Sequence, residues 1–388
     1  MNRFLTKLLV SITVLAMLAC QQKTNKETTQ ANQEGPAEVL DSTHFNEPVD
    51  GKQVRLYTLK NKNGMCAFLT DFGARLVGLL VPNKHGALTD VVLGFNKASL
   101  YNNPEEPYFG TIVGPFGNRI AKGKFSLDGE TFTLPTNNGP NTLHGGLKGV
   151  HFAHWTAKQA SDQEVSFQYT LPDKQEGFPG NLQMTVTYSL SDDNELTIAY
   201  EAKSDHKTVI NLTNHAYFNL NGEGSGAITT HQLQLFADRY TPVDSILIPT
   251  GELAPVKGTP FDFTTAKEIG RDIETQDLQL SYGKGYDHNF VLNGAKVGGM
   301  NHAAKVLGDK SGIVMDIYTE EPGIQFYSGN FMAEKVTLKN GNKDSFRTGF
   351  CLEPQHFPDA PNQPNFPSTV YDAGANYHTK SIYKFSVQ

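Results

Sequence analysis

The sequence predicts an all-β protein with very little helix, and three observations support this prediction. Apolar and polar residues alternate with a period of two over long stretches such as 182–190, a pattern typical of half-buried strands. Asp128-Gly129 separates two shorter strand-like stretches and is a strong signal for a two-residue hairpin turn. The best helix signal is a capping-box pattern that opens the short stretch 265–273.

The first 40 residues are expected to precede the folded domain. Residues 1–19 have a basic start and a short apolar stretch, as secretory signal peptides do. The stretch ends in Leu18-Ala19-Cys20, which resembles a bacterial lipoprotein signal and implies lipidation of Cys20. Residues 20–40 are largely polar, so we expect a flexible tether. The sequence thus predicts an exported lipoprotein, held in the membrane by its lipid on the periplasmic or cell-surface side of a bacterial envelope; a simple secretory signal or an uncleaved anchor is the alternative.

Residues 41–388 are expected to form a single domain, because no linker-like stretch divides them. Strand-like segments recur evenly along this span, and no repeat of fixed period indicates a propeller. We therefore predict one large domain of packed antiparallel sheets. Its clearest elements, in chain order, are a hairpin of 124–127 with 131–134, strands at 165–171, 182–190 and 196–200, the short helix at 265–273, and a strand at 313–317.

Charge and composition exclude several classes of function. The chain has 33 Lys and Arg against 40 Asp and Glu, a net charge of −7, and removal of residues 1–19 would make it more acidic. Nucleic-acid binding requires a positive surface, and the sequence has no basic run. It also has no phosphate or dinucleotide loop and no Cys or His spacing typical of a metal site, so neither a cofactor nor a metal is expected. Cys66 and Cys351 lie in apolar stretches and are expected to be buried free thiols.

Two side chains far apart in the chain are the candidate base and acid. Glu353 precedes Pro354, and further prolines follow, so we expect a carboxylate at the end of a strand, held by a rigid turn. His215 follows a strand-like stretch and precedes two aromatic residues. Among the 12 histidines, His144 stands apart for a similar reason. Three others are expected at the surface: His85, His206 and His231.

Five polar, turn-like segments carry these candidates, at 117–120, 142–146, 213–219, 286–290 and 352–362. Together they resemble the aldose 1-epimerase (galactose mutarotase) family over nearly all of residues 41–388. The run from Glu353 to Asn362 is similar to the family's signature around its catalytic glutamate, and Thr213-Asn-His-Ala-Tyr-Phe-Asn219 to that around its catalytic histidine. Pro354 is a departure, since many members carry Thr there. The resemblance implies a large antiparallel β-supersandwich and the interconversion of the α and β anomers of hexoses such as galactose or glucose.

The resemblance also implies roles for individual residues. Glu353 is the expected base at the C1 hydroxyl, and His215 the expected acid at the ring oxygen. Nearby carboxylates such as Asp287 are expected to keep His215 protonated near neutral pH. His356 and Asp359 are interpreted as supports for the loop that fixes Glu353. The residues expected to bind the sugar are Asn118, Arg119, His144, Tyr217, Asp287 and Gln325.

Two alternatives use the same residues. A β-sandwich glycosidase would employ Glu353 and Asp287 as a pair of carboxylates and would release reducing sugar from a glycoside. A non-catalytic surface sugar-binding protein would make the same hydroxyl contacts and leave anomer exchange at its rate in buffer. A small sugar is the expected partner in each case.

Overall fold

The computed structural model describes residues 40–294, 296–297 and 299–388. The predicted signal peptide, Cys20 and the tether up to residue 39 lie outside this part of the chain. The described residues form an almost entirely β structure whose strands pair antiparallel, and their one α-helix is Leu278–Gly283. The all-β prediction is therefore confirmed. Within the same residues, no helix has the length and apolar character needed to cross a bilayer.

The largest sheet has ten strands and contains the longest alternating stretches of the sequence. Leu182–Leu190 pairs along its whole length with Glu195–Ser204, and every second side chain of both strands is buried. The order of strands across the sheet is Thr156–Ser161, Glu164–Leu171, Leu182–Leu190, Glu195–Ser204, Asn376–Val387, Ile313–Thr319, Met300–Leu307, Gln232–Leu235 and Lys267–Glu268, with Lys296–Val297 paired to Met300–Leu307.

Two smaller sheets and five two-stranded pairs complete the β structure. The six-stranded sheet has the order Tyr217–Phe218, Phe350–Gln355, Gly323–Tyr327, Asp287–Val291, Arg239–Tyr240 and Ala254–Pro255. The four-stranded sheet has the order Leu56–Lys60, Cys66–Thr70, Arg75–Pro82 and Leu88–Asp90. The two-stranded pairs are Pro48–Val49 with Lys52–Gln53, Lys124–Leu127 with Glu130–Thr133, Arg119–Ile120 with Thr142–Leu143, Thr208–Val209 with Val370–Tyr371, and Ile112–Val113 with Thr213–Asn214. Short 3-10 helices lie at Ser42–Phe45, Ala98–Tyr101, Ala121–Gly123, Val150–Phe152, Gln175–Gly177, Ile228–Thr230 and Ala360–Asn362.

One large hydrophobic core joins these sheets, which makes the domain a sandwich. It combines side chains of the ten-stranded sheet, such as Val186, with Leu79 of the four-stranded sheet and Phe326 of the six-stranded sheet. Because side chains alternate between the two faces of a strand, the six-stranded sheet buries one row in this core. Its opposite face is left to carry polar side chains, and the candidate site lies there.

Two local predictions have different outcomes. The Asp128-Gly129 hairpin is confirmed: both residues have positive φ, 51° and 89°, between strands Lys124–Leu127 and Glu130–Thr133. The helix predicted at 265–273 is wrong, because Lys267–Glu268 is an edge strand of the largest sheet. The actual helix begins after Asp277, whose carboxylate accepts hydrogen bonds from the first backbone N–H groups, as an N-cap does.

Candidate active site

Glu353 lies on the polar face of the six-stranded sheet. On its strand, Phe350 and Leu352 enter the large core, whereas Cys351 and Glu353 point to the other side. Glu353 is 2% exposed. The prediction that it ends a strand is wrong, since the strand continues to Gln355.

Pro354 is tolerated inside this strand because of where the neighbouring strand stops. On the strand of Glu353, Tyr217–Phe218 pairs with Cys351 and Phe350 and no further, so Pro354 lies beyond it. A proline without a pairing partner on one side removes no hydrogen bond from the ladder. Glu353 is therefore fixed by a strand rather than by the turn that follows.

The segment after Thr213–Asn214 places the His215 ring against that face. The backbone of His215 is held on both sides, since its N–H donates to Thr111 O at 2.8 Å and its carbonyl accepts from Gly110 N–H at 3.0 Å. Its ring stacks with Tyr217 at 5.0 Å and with Tyr108 at 5.5 Å between centroids. His215 Nε2 lies 3.7 Å from Glu353 Oε1. Two residues 138 positions apart thus share one buried site.

Burial has opposite effects on these two groups. It raises the pKa of Glu353 well above its ordinary value, with the Asp287 carboxylate adding to the rise and Arg119 opposing it. Burial lowers the pKa of His215 to about 4, against the effect of its own backbone carbonyl and with the charge of Arg75 adding to the fall. The expectation that carboxylates keep His215 protonated at neutral pH is therefore wrong in this site. Desolvation dominates because the His215 side chain is 7% exposed.

Arg119, Asp287 and Gln325 form a connected polar group beside Glu353. Gln325 is the register partner of Glu353 on the adjacent strand, and its Nε2 donates to Asp287 Oδ1 at 2.7 Å. Arg119 Nη2 lies 3.5 Å from Asp287 Oδ2, and its Nε donates to Asn138 Oδ1 at 3.1 Å. The carboxylate and the amide thus come from neighbouring strands, whereas the guanidinium is supplied by a separate two-stranded pair.

Asn118 and His144 are joined by two hydrogen bonds, each donated by a backbone N–H group. Asn118 N–H donates to His144 Nδ1 at 3.1 Å, and His144 N–H donates to Asn118 O at 3.1 Å. Both residues have positive φ, 67° and 51°, a conformation for which asparagine and histidine are enriched. Burial lowers the pKa of His144 well below its ordinary value. The ring is therefore neutral, and since Nδ1 accepts a hydrogen bond, Nε2 carries the proton.

This tautomer decides whether the site fits a metal ion. His144, His215 and Glu353 each place a potential ligand atom within 4.8 Å of the others, close enough for the three to approach one ion. A metal needs a free nitrogen lone pair on each histidine. His144 offers none, because one nitrogen accepts from the backbone and the other is protonated. The protonated His144 Nε2 is better suited to donating a hydrogen bond to a hydroxyl than to binding a metal.

A cavity of about 580 Å³ opens above these groups. All eight residues predicted for the site line it: Asn118, Arg119, His144, His215, Tyr217, Asp287, Gln325 and Glu353. Two buried oxygens in it, Glu353 Oε2 and Gln325 Oε1, accept no hydrogen bond from the described residues. Buried polar atoms are normally satisfied, so these oxygens are suited to a ligand rich in hydroxyl groups.

The structure adds aromatic side chains that the sequence did not predict. Tyr108 lies 4.7 Å from the His144 ring and 5.5 Å from the His215 ring. Tyr282 and Phe331 line the mouth of the cavity, and Phe331 is 44% exposed. The only hint in the sequence is that Tyr108 lies in the turn-like run Pro107-Tyr-Phe-Gly110. The sequence gives no local signal that this run meets His215.

The polar residues after Glu353 support the site from behind. Asp359 Oδ1 accepts from Ala121 N–H at 2.9 Å, and Asp359 N–H donates to Arg119 O at 2.8 Å. His356 Nδ1 lies 2.6 Å from the buried carboxylate of Glu321. Their interpretation as supports is consistent with these contacts, which also tie the loop to the backbone of Arg119.

Comparisons with known proteins show which family the chain is similar to. The family model described as aldose 1-epimerase matches residues 55–384. Galactose mutarotase from Bos taurus is 44% identical over 319 residues, 82% of this chain and 90% of the relative. Aldose 1-epimerase from Escherichia coli K12 is 39% identical over 338 residues, 87% of this chain and 96% of the relative.

Solved structures show the same fold. The aldose epimerase homologue from C. elegans superposes with a TM-score of 0.77 at 32% identity, covering 86% of this chain and 98% of the other. Galactose 1-epimerase from Lactobacillus acidophilus gives 0.77 at 28% identity, covering 88% and 97%. The sandwich architecture, the family match and the relatives agree, and the chain is a member of the aldose 1-epimerase family, an isomerase that acts on carbohydrates.

Proposed function

We propose that Glu353 and His215 interconvert the α and β anomers of a free hexose such as galactose or glucose by opening and closing its ring. The observation that carries this assignment is the 3.7 Å separation of Glu353 Oε1 and His215 Nε2 inside a buried polar cavity. The hydroxyl oxygen and the ring oxygen of a pyranose are both bonded to C1. A base for one and an acid for the other must therefore lie side by side, as these two groups do.

The proton transfers balance within the pair. Glu353 takes the proton of the C1 hydroxyl while His215 Nε2 gives one to the ring oxygen, and the bond between C1 and the ring oxygen breaks. The C1 aldehyde then rotates about its bond to C2. For closure, Glu353 returns its proton to the aldehyde oxygen, the ring oxygen attacks C1 from either face, and His215 recovers its proton. Each positioned transfer contributes about 10²–10⁴-fold to the rate.

Glu353 and His215 together carry one exchangeable proton at every stage. With the ring closed, the proton is on His215 and Glu353 is ionised; with the ring open, Glu353 is protonated and His215 is neutral. The opposite pKa shifts of the two groups favour the neutral arrangement. Burial therefore stabilises the protonation state that accompanies the open-chain sugar, and the pair is suited to lower the energy of that intermediate.

The remaining groups are assigned to the other hydroxyls. The guanidinium of Arg119 and the carboxylate of Asp287 supply rigid donors and acceptors, held in place by Gln325 and Asn138. His144 Nε2–H is a fixed donor, and the side-chain amide of Asn118 remains a donor because its oxygen accepts from Arg119 N–H. Tyr217 contributes less directly, since its ring stacks on His215.

Polarimetry tests the assignment. Freshly dissolved α-galactose is added to wild-type protein, and optical rotation is followed to equilibrium against buffer alone. Faster relaxation is expected with wild type and relaxation near the buffer rate with Glu353→Gln. A rate equal to buffer with wild type supports the sugar-binding alternative, and release of reducing sugar from a galactoside supports the glycosidase.

We also propose that the protein is exported and anchored by lipid on Cys20, which would place the enzyme on the periplasmic or cell-surface side of a bacterial envelope. The basis is the sequence of residues 1–40: a signal-like start, a cysteine after Leu18-Ala19, and a polar tether. Labelling cells with a radioactive fatty acid tests this. The wild type is expected to be labelled and the Cys20→Ala variant unlabelled, and label retained in that variant contradicts the proposal.

A further inference from the structure

The second nitrogen of the His215 ring faces a thiol. Cys351 Sγ lies 3.6 Å from His215 Nδ1, within hydrogen-bond distance for sulfur. Cys351 is fully buried and unpaired. It stands two residues before Glu353 on the same strand, so both side chains point to the same face. The two nitrogens of one ring therefore meet two side chains of one strand, a thiol at Nδ1 and a carboxylate at Nε2.

No other residue in the described chain forms a hydrogen bond with His215 Nδ1. The groups that surround the ring come from several elements, and most of them meet its faces or edges rather than its nitrogens. The titratable and charged groups that face it or act on it through their charge are Glu353, Cys351, Tyr217, Tyr108, His144, His151 and Arg75.

The direction of the thiol contact determines which nitrogen exchanges a proton. If the thiol donates to Nδ1, the neutral ring is protonated at Nε2 and cannot take back the proton of the ring oxygen. If Nδ1–H donates to sulfur, Nε2 has a free lone pair and can gain and lose the proton beside Glu353. A thiol sulfur can accept as well as donate.

We propose that Cys351 is a positioning residue for anomer exchange: its sulfur accepts a hydrogen bond from His215 Nδ1–H, so that Nε2 is the nitrogen that exchanges its proton with the sugar. The inference rests on the proposed function for its consequence, but the hydrogen bond itself exists in the free protein.

A thiol differs from the usual partners of a catalytic histidine. It is a weak, uncharged acceptor, whereas a carboxylate at Nδ1 would stabilise the imidazolium strongly. Burial raises the pKa of the Cys351 thiol well above its ordinary value, and the carboxylates of Glu353, Glu106 and Asp287 raise it further. The sulfur is therefore uncharged at neutral pH. Such a partner fixes the tautomer and leaves the imidazolium a strong acid for the ring oxygen.

Nuclear magnetic resonance of the free protein tests the hydrogen bond independently of the reaction. The protein is labelled with ¹⁵N-histidine, and the His215 ring is assigned by comparison with His215→Asn. At pH 7 we expect Nδ1 to be protonated and Nε2 to be unprotonated. A neutral ring protonated at Nε2 overturns the proposal even if the wild type is an active mutarotase, so its failure is distinct from failure of the proposed function.

Variants test the catalytic consequence. We expect Cys351→Ala to lower kcat by about 10-fold or more with KM changed by less than about twofold, and Cys351→Ser to recover most of the loss. The acidic limb of the pH profile is the fall in activity at low pH, where His215 becomes protonated at both nitrogens. This limb should move to lower pH in Cys351→Ala, which has no acceptor for Nδ1–H, and to higher pH in Cys351→Ser, which has a stronger one. A role limited to packing would leave that limb in place.

Cys66→Ser is the matched control, because Cys66 is the other buried free cysteine of the described chain and does not line the cavity. It should keep the wild-type kcat and pH profile. Wild-type kcat and an unmoved acidic limb in both Cys351 variants overturn the proposal. If Cys351→Ala does not fold, the limb of Cys351→Ser and the tautomer of the wild type decide the question.

Discussion

Replacing Glu353 by glutamine separates the chemistry of the site from its architecture. Glutamine has nearly the same shape and can still face His215, but it cannot take the proton of the C1 hydroxyl. A positioned base contributes about 10²–10⁴-fold, so we expect kcat to fall at least 100-fold, about 2.7 kcal/mol of transition-state stabilisation. The assay is polarimetry of freshly dissolved α-galactose, with the buffer rate subtracted.

The 3.7 Å separation of Glu353 Oε1 and His215 Nε2 leads to a second, stronger prediction. Because the two groups pass one proton between them through the sugar, either one alone cannot complete the exchange. The double variant Glu353→Gln, His215→Asn should therefore be about as slow as the slower single variant, as residues that act as a unit behave. If the fall in kcat of the double variant equals the product of the falls in the two single variants, the reasoning is refuted. A Glu353→Gln rate above about one tenth of wild type would refute it as well.

Stability should change in the opposite direction from activity. A carboxyl group whose pKa is raised by folding stabilises the folded state most below its unfolded pKa, and this contribution is lost as pH rises toward the folded pKa. The pKa of Glu353 is raised, so the Tm of Glu353→Gln at pH 7 should equal or exceed that of wild type. The control is Asp272→Asn. Burial acts to raise the pKa of Asp272, but the hydrogen bond from Lys267 at 2.7 Å outweighs it and the pKa is lowered. Its ionised form therefore stabilises the fold above the unfolded pKa, so Asp272→Asn should lower Tm at pH 7 and leave the rate unchanged.

Three further predictions concern pH, binding and export. The plot of kcat/KM against pH should fall near pH 4, because His215, with a pKa of about 4, then gains a proton while Glu353 is still protonated. It should also fall at high pH, when Glu353 loses its proton. A profile without the fall at low pH would contradict a proton shared by the two groups. Arg119→Ala should raise KM more than it lowers kcat, because the guanidinium is assigned to hydroxyl binding beside Asp287. Initial rates over a range of galactose concentrations measure both constants. An unchanged KM would mean that Arg119 does not bind the sugar. Cys20→Ala should move the protein from the detergent phase to the aqueous phase on phase separation of cell extracts, whereas unchanged partition would remove Cys20 as the anchor.

Alternation in the sequence predicted much of the fold because the strands concerned are half buried. Residues 182–190 and 313–317 appear in the structure as Leu182–Leu190 and within Ile313–Thr319, and their buried side chains are the apolar ones. Such a pattern is a property of a single strand and is visible without its partners. The Asp128-Gly129 turn was predictable for the same reason, since positive φ at both positions is a local requirement.

Local patterns failed where a distant contact decides the outcome. The cap-like run at 265–268 forms no helix, because Lys267 and Glu268 pair as a strand with Leu233 and Gln232. His231 was expected at the surface but is fully buried, with its Nε2 accepting from Leu220 N–H at 3.0 Å. Neither contact is encoded within a few residues of the group concerned.

The candidate site shows the same division. Its eight predicted residues all line one cavity, because the segments that carry them are similar to family signatures. The protonation of His215 was predicted in the wrong direction, since a sequence shows the neighbouring charges but not the depth of burial that outweighs them. Tyr108 and the thiol of Cys351 were missed for a related reason: their importance comes from the His215 ring, which reaches them only in the folded chain.

Exchange spectroscopy at anomeric equilibrium tests the central claim most directly. With galactose labelled with ¹³C at C1, transfer of magnetisation between the α and β signals measures ring opening and closing without any net reaction. Wild-type protein at catalytic concentration should increase this exchange far above its rate in buffer, while Glu353→Gln and His215→Asn should not. Two results would contradict a proton shared between Glu353 and His215: exchange at the buffer rate with folded wild type, or exchange as fast as wild type in either variant.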